Sequence, residues 1–252
     1  MPPALPADLP AWHWALLALG AAAIGMSKTG LPGLGALYVA LFANLLSPKA
    51  SVGVVLPLLI LGDAVALAVY RRDCSWPHVL RVFPWAAVGV GLGWWALGRL
   101  SDIWAARTIG GLLLALVLLH VWRQRRPADA APAPARPVAA ATGLLAGFAT
   151  LMANAAGPVM TIYLLAMRLP KREFLGTAAV FFFVVNWFKV PFLVDLGLIH
   201  TASLKLNLAL APAVLLGAWL GRGLAQRIDQ RAFEAVSLAL AALAAARLLL
   251  AG

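Results

Sequence analysis

Two long apolar stretches of this chain are each broken once, at corresponding places in its two halves. The first break reads Gly25-Met26-Ser27-Lys28-Thr29-Gly30-Leu31-Pro32-Gly33 and the second Met152-Ala153-Asn154-Ala155-Ala156-Gly157-Pro158. Apolar residues flank both, so each places irregular backbone and polar side chains at membrane depth. Lipid tolerates such backbone only where it lines a protein-enclosed cavity, because hydrocarbon offers no partner to a free N–H or C=O. Paired Gly/Pro interruptions in two halves of a membrane chain point to a transporter's binding site.

Composition decides the class. With 63% hydrophobic and 12% charged residues over 252 positions, the chain lies far outside the range of soluble domains and reads as an all-α polytopic membrane protein. Its net charge of +11 does not imply a nucleic-acid partner, because the basic residues fall between apolar runs of membrane-spanning length and act as topology signals. The single cysteine, Cys74, excludes an internal disulfide and reads as an incidental loop thiol. The first residues, MPPALPADLPAWHW, lack the basic start of a cleaved signal peptide, so the first apolar segment is expected to be retained.

Apolar segments run over 12–46, 51–70, 79–98, 104–122, 138–168, 174–194, 204–221 and 232–250. Between the halves lies RQRRPADAAPAPARP, a basic Pro/Ala segment too polar to be buried. The expected organisation is a first membrane repeat at 1–122, a cytoplasmic linker at 123–137 and a second repeat at 138–252. At an offset of 128, Leu80, Pro84, Gly89, Leu92, Gly93 and Arg99 fall on Leu208, Pro212, Gly217, Leu220, Gly221 and Arg227. Both halves thus carry a proline and a GxxxG in one register, and small-xxx-small pairs let helices approach closely in lipid. Pro48-Lys49 falls on Pro170-Lys171 at an offset of 122, and Gly53 and Asp63 match Gly176 and Asn186 after one insertion.

Charge distribution chooses between two topologies. If each broken segment were one continuous span, Lys and Arg would divide evenly between the two sides. If each turns back, as a re-entrant hairpin or two short helices, one side collects thirteen basic residues and the other five: Lys49, Arg99, Arg107, Lys205 and Arg247. The positive-inside rule favours the second arrangement. It makes the repeats inverted, each a broken hairpin followed by three transmembrane helices, with both termini outside and the linker inside.

Lys28 is the sharpest functional candidate, because a charge at membrane depth is costly and normally faces the bundle interior with a partner or ligand. It precedes Pro32-Gly33, where a new half-helix is expected to begin. Helix N-termini offer free N–H groups and a positive dipole end, so Ser27, Lys28, Thr29 and the Gly30 and Gly33 backbone are expected to form an anion site. Asn154, four residues before Pro158 as Lys28 is before Pro32, is the expected counterpart across the cavity and can donate to an oxyanion, beside Gly157. The asymmetry between them suggests that only one half supplies the fixed positive charge. Asp63 is the proton-coupling candidate, and its repeat partner Asn186 and nearby Lys189 are further substrate contacts, although Lys189 also suits an interfacial anchor. Glu173, among basic residues, reads as a solvated loop charge. Trp12, Trp14, Trp76, Trp85, Trp94, Trp95, Trp104 and Trp122 lie mostly near segment ends, as an interfacial belt requires. His13, His78, His120 and His200 are scattered without metal-ligand spacing, so no metal site or cofactor is expected.

This plan resembles the TauE/SafE sulfite exporter family, also called the toluene sulfonate uptake permease family. The resemblance rests on GMSKTGLPG, the following SPKASVG loop, a polar-interrupted second span, GVGLGWWALGRL and the recurrence of the plan in the second half, and covers nearly the whole chain. The first break departs from the family's usual glycine run by carrying Lys28. The resemblance implies a bacterial inner-membrane carrier of sulfite, organosulfonates or related anions, expected to export them, whereas the residues alone reach only a small anion. A homodimer is compatible with either. An anion channel built from the same parts is the alternative, since charged side chains and helix dipoles serve pores equally well. An enzyme is disfavoured by the lack of a nucleophile-base set, HExxH or P-loop.

Overall fold

The computed structural model describes residues 10–30, 34–124, 136–167 and 169–224, with single positions between 239 and 250. Nine helices follow one another among the described residues: α1 (Ala11–Thr29), α2 (Gly35–Leu45), α3 (Pro48–Tyr70), α4 (Trp76–Arg99), α5 (Asp102–Gln124), α6 (Arg136–Ala153), α7 (Gly157–Ala166), α8 (Lys171–Asp195) and α9 (Thr201–Leu224). Four segments, Pro48–Asp73, Trp76–Arg99, Arg172–Asp195 and Thr201–Gly223, are long and apolar enough to cross a bilayer. Their outer faces carry large apolar side chains such as Leu80, Leu208 and Trp219, which water would penalise and lipid accepts. The protein is an integral membrane protein. Six of the belt tryptophans, Trp12, Trp14, Trp76, Trp85, Trp95 and Trp104, are exposed, whereas Trp94 donates to Asp195 Oδ2 at 2.9 Å.

Local chemistry sets the helix starts. Ser47 caps α3 by accepting from the Ala50 N–H, and Pro48 occupies the first turn, where its missing N–H costs nothing. Two expectations about segment limits need correction. The expected linker at 123–137 gives Arg123 and Gln124 to α5 and Arg136 and Pro137 to α6, while 125–135 lie outside the described residues, as does most of the last apolar segment at 232–250.

The first break is also shorter than expected, because 25–29 stay helical. Gly25 serves close packing rather than chain breaking: a Cβ there would lie 2.0 Å from the Val214 carbonyl oxygen of α9. The hydroxyls of Ser27 and Thr29 bond back to Ile24 O at 2.8 Å and Gly25 O at 3.1 Å, so neither competes with the helix. Gly30 is a turn that follows α1, and 31–33 lie outside the described residues. In the second break, Asn154–Ala156 separate α6 from α7, and Gly157-Pro158 begin α7 rather than ending the interruption.

Packing follows the two sequence registers contact by contact. A Cβ on Gly147 would meet Ala86 O at 2.0 Å, as one on Gly25 meets Val214 O; Gly147 lies 122 beyond Gly25, and Val214 lies 128 beyond Ala86. Likewise, a Cβ on Gly89 would meet Leu144 O at 2.2 Å, and one on Gly217 would meet Ala22 O at 2.1 Å. The first helix of each half therefore packs on the fourth helix of the other, α1 on α9 and α6 on α4, with backbones nearly touching.

Contacts also fix direction. Along α3 and α8, Gly53 abuts Leu198, Asp63 bonds Asn186, and Tyr70 and Asp73 abut Gly176, so these two helices run antiparallel. Ala22 and Met26 lie beside Gly217 and Gly221, and Val82 and Ala86 beside Gly143 and Gly147, so α1 runs with α9 and α4 with α6. With these directions, α1 enters and α2 leaves at the end of the bundle that holds Leu100 and Leu198. The α6–α7 pair enters and leaves at the opposite end, where Asp73 faces Arg172 at 3.6 Å. At about 1.5 Å per residue, the 11 residues of α2 reach roughly 16 Å, about half of a ~30 Å hydrocarbon core.

Candidate anion site

The last turn of α1 brings Lys28 against α3, and a glycine makes room for it. A Cβ on Gly62 would already lie 3.2 Å from Lys28 Cγ. Lys28 Nζ stands 2.7 Å from Asp63 Oδ1 and 4.3 Å from the centroid of the Phe182 ring. Lysine near a helix C-terminus is also favoured by the helix dipole. The Asp63 side chain is wholly buried, and its Oδ2 accepts from Asn186 Nδ2 at 2.6 Å. Asp63 and Asn186 are repeat partners in the sequence and bond each other across the centre of the bundle.

The chain of bonds continues. Lys189 Nζ donates to Asn186 Oδ1 at 3.1 Å, to Asn154 Oδ1 at 2.7 Å and to Thr150 Oγ1 at 3.1 Å. Asn154 Nδ2 in turn donates to the Val52 carbonyl of α3 at 3.0 Å. Asn154 has φ 53, the left-handed region that asparagine tolerates better than most residues, and there it ends α6. Both hairpin tips are thereby tied to α3, one through Lys28 and Asp63, the other through Asn154.

Several sequence expectations meet a different geometry here. Lys189 is not an interfacial anchor: it is 0% exposed and satisfied on three sides by oxygen acceptors. Each half therefore brings one lysine to the centre, in place of the single one expected. Thr29 turns away from the cavity, its hydroxyl donating to Ala218 O of α9 at 2.8 Å, which ties the hairpin tip to its neighbour. Asn154 lines the cavity, and one of its two amide N–H groups donates to Val52 O. Gly33 lies outside the described residues.

A cavity of about 770 Å³, open solvent included, lies between the tips and the first half of α8. Ser27, Lys28, Gly30, Asp63, Asn154, Gly157 and Asn186 line it, together with Gly35, Tyr38, Thr150, Thr161 and the Phe174 and Phe182 rings. Gly35 and Gly157 are the first residues of α2 and α7, and in front of each a Cβ would meet nothing within 4 Å. Two half-helix N-termini thus border the cavity that holds the Lys28 ammonium. First-turn N–H groups have no helical acceptor, and in α7 proline removes one of them, leaving those of Gly157 and Val159. The free N–H groups at the start of α7, two positive dipole ends and one ammonium suit a small anion.

Thr150, Tyr38 and Phe182 escaped the sequence reading. Thr150 carried a signal, because the register of 122 that places Gly25 on Gly147 places Lys28 on Thr150 rather than on Asn154. Tyr38 and Phe182 sit in uniformly apolar runs and had none. Outside the spans, burial pushes the Cys74 thiol up, partly offset by its hydrogen bond to Thr177, as befits an unreactive thiol. Glu173 is exposed.

The family model described as Sulfite exporter TauE/SafE matches residues 16–248. The chain belongs to the TauE/SafE sulfite exporter family. No curated protein and no solved structure matches it. The TauE/SafE match runs from α1 past α9 and so includes both hairpins, both lysines and the cavity between them. As a TauE/SafE member, the protein is a membrane transporter.

One consequence of the site concerns stability. Lys189→Met leaves Asn154 Oδ1, Asn186 Oδ1 and Thr150 Oγ1 without their shared donor, and buried acceptors left unpaired cost about 1–3 kcal/mol each, at the low end within membranes. The variant is expected to melt several degrees below the wild type in a detergent thermal-shift assay. An unchanged melting temperature would show that the network carries no stability.

Proposed function

We propose that this protein is a secondary carrier of small sulfur oxyanions, sulfite or an organosulfonate, working by alternating access between two inverted repeats. One observation carries the reading: the Lys28 ammonium and the N-termini of α2 and α7 share a single cavity. Sulfur oxyanions present several acceptor oxygens around one centre, which matches donors converging from one ammonium and two helix ends. The aromatic and alanyl wall formed by Phe174, Ala178, Ala179 and Phe182 suits the short apolar tail of an organosulfonate. The family's description points to the same class of cargo.

Support for inverted repeats comes from the recurrence of the glycine contacts in the 122 and 128 registers, together with the antiparallel α3 and α8. Of the basic residues, Arg71, Arg72 and Arg172 share one end of the bundle, while Lys49, bonded to Leu100 O, shares the other with Arg99. The positive-inside rule then puts the Arg71 end in the cytoplasm of a bacterial inner membrane, with both termini outside. The cavity, lying on that side of Asn186, loads from the cytoplasm as export requires. On the other side, Lys189 is buried and held by three oxygen acceptors, an arrangement that favours a carrier over an open channel.

The experiment is a thermal-shift screen of the purified protein with sulfite, sulfate, thiosulfate, sulfoacetate, taurine and carboxylate analogues, followed by proteoliposome flux for the ligands that stabilise. Stabilisation by sulfur oxyanions and saturable, counterflow-stimulated flux are the expected results. Ohmic currents would instead identify a channel.

A further inference from the structure

Asp63 presents a carboxylate to Lys28 as a bound anion would. Its Oδ1 takes the ammonium at 2.7 Å and its Oδ2 takes Asn186 Nδ2 at 2.6 Å, while the side chain faces the cavity floor. The described groups facing it are Lys28 from α1, Tyr38 from α2, and Asn186 and Lys189 from α8. The charged group among them in direct contact with the carboxylate is the Lys28 ammonium, whose other open side rests on the Phe182 ring. A cargo anion drawn to Lys28 therefore arrives within a few ångströms of a carboxylate in a medium of low polarity, where like charges repel far more than in water.

We propose that Asp63 is an internal rival of the cargo: the transported anion displaces it from Lys28, and the carboxylate leaves the ion pair by taking up one proton from the cavity side. The step is balanced. The Lys28 ammonium exchanges one anionic partner for another, and the proton that neutralises Asp63 enters with the cargo. Protonated Asp63 still accepts from Asn186 through its carbonyl oxygen, so the bond between the repeat partners survives the exchange. Anion and proton then move in the same direction, and a singly charged anion crosses without net charge. This inference rests on the anion site proposed above.

The test uses the full chain in detergent with methanesulfonate and sulfate, both of which stay ionised across the neutral range. In weakly buffered solution, anion binding to the wild type is expected to take up about one proton, and the apparent Kd is expected to rise about tenfold per pH unit on the alkaline side. In Asp63→Asn, uptake is lost and the Kd stays flat with pH. Wild-type binding with no proton uptake overturns the proposal, and so does an Asp63→Asn variant that keeps the pH slope. If Asp63→Asn fails to fold, the wild-type proton count decides alone. Undiminished binding by Lys28→Met, or no binding of either anion to the wild type, removes the anion site itself, an outcome distinct from a site that binds without a proton.

Discussion

Replacing Lys28 with methionine is expected to lower anion binding and flux about a hundredfold or more, since removing one member of a desolvated, hydrogen-bonded charge pair costs ~2–5 kcal/mol. Methionine keeps the length and packing of the stem against Gly62, so what is lost is the ammonium. The same change strands the buried Asp63 carboxylate, and a buried charge deprived of its partner destabilises a fold by about 3–5 kcal/mol. A fall in flux alone would then confuse loss of site with loss of fold. The double variant Lys28→Met/Asp63→Asn separates the two, because it removes both charges and leaves the amide to bond Asn186. It is expected to melt near the wild type and still not transport, measured by thermal shift and by proteoliposome flux. Wild-type flux in the double variant would remove Lys28 from the site.

The second large effect concerns packing. Gly25→Val and Gly147→Val each drive a side chain into a backbone carbonyl that an added Cβ would meet at 2.0 Å, a distance no rotamer change relieves. The helices must separate, and overpacking costs typically 1–3 kcal/mol, with backbone-to-backbone contacts toward or beyond the upper end. Because the two positions lie in equivalent contacts, α1 on α9 and α6 on α4, the two variants are expected to lose similar melting temperature. Gly91→Val, where a Cβ would meet nothing within 4 Å, is the control expected to be neutral. A neutral Gly25→Val would show that the α1–α9 contact is looser than described.

The two breaks, the recurring Gly/Pro registers and the match in position of Asp63 with Asn186 were legible because proline, glycine and charge are rare and costly within lipid. Each leaves a mark that an apolar background does not hide. The hydrogen bond between the Asp63 and Asn186 side chains was not legible. The extent of the first break was less legible, since Gly25, Ser27 and Thr29 look like breakers in sequence. Their packing against α9 and their back-bonds within α1, both matters of tertiary context, make them helical. Lys189 was ambiguous for a related reason: depth along a helix can be counted, but whether a lysine faces lipid or three oxygen acceptors depends on which helices surround it. Tyr38 and Phe182 were invisible because cavity walls and core share one composition.

The central claim is that a sulfur-type oxyanion sits between the two hairpin tips. Selenate has the shape and charge of sulfate, and its selenium scatters anomalously, so an anomalous-difference map from crystals of the wild type soaked in selenate tests the claim directly. The account predicts a peak within hydrogen-bond reach of Lys28 Nζ and beside the first turns of α2 and α7, absent in the Lys28→Met/Asp63→Asn variant. Peaks confined to the arginines at the bundle ends, with none beside Lys28, would contradict it.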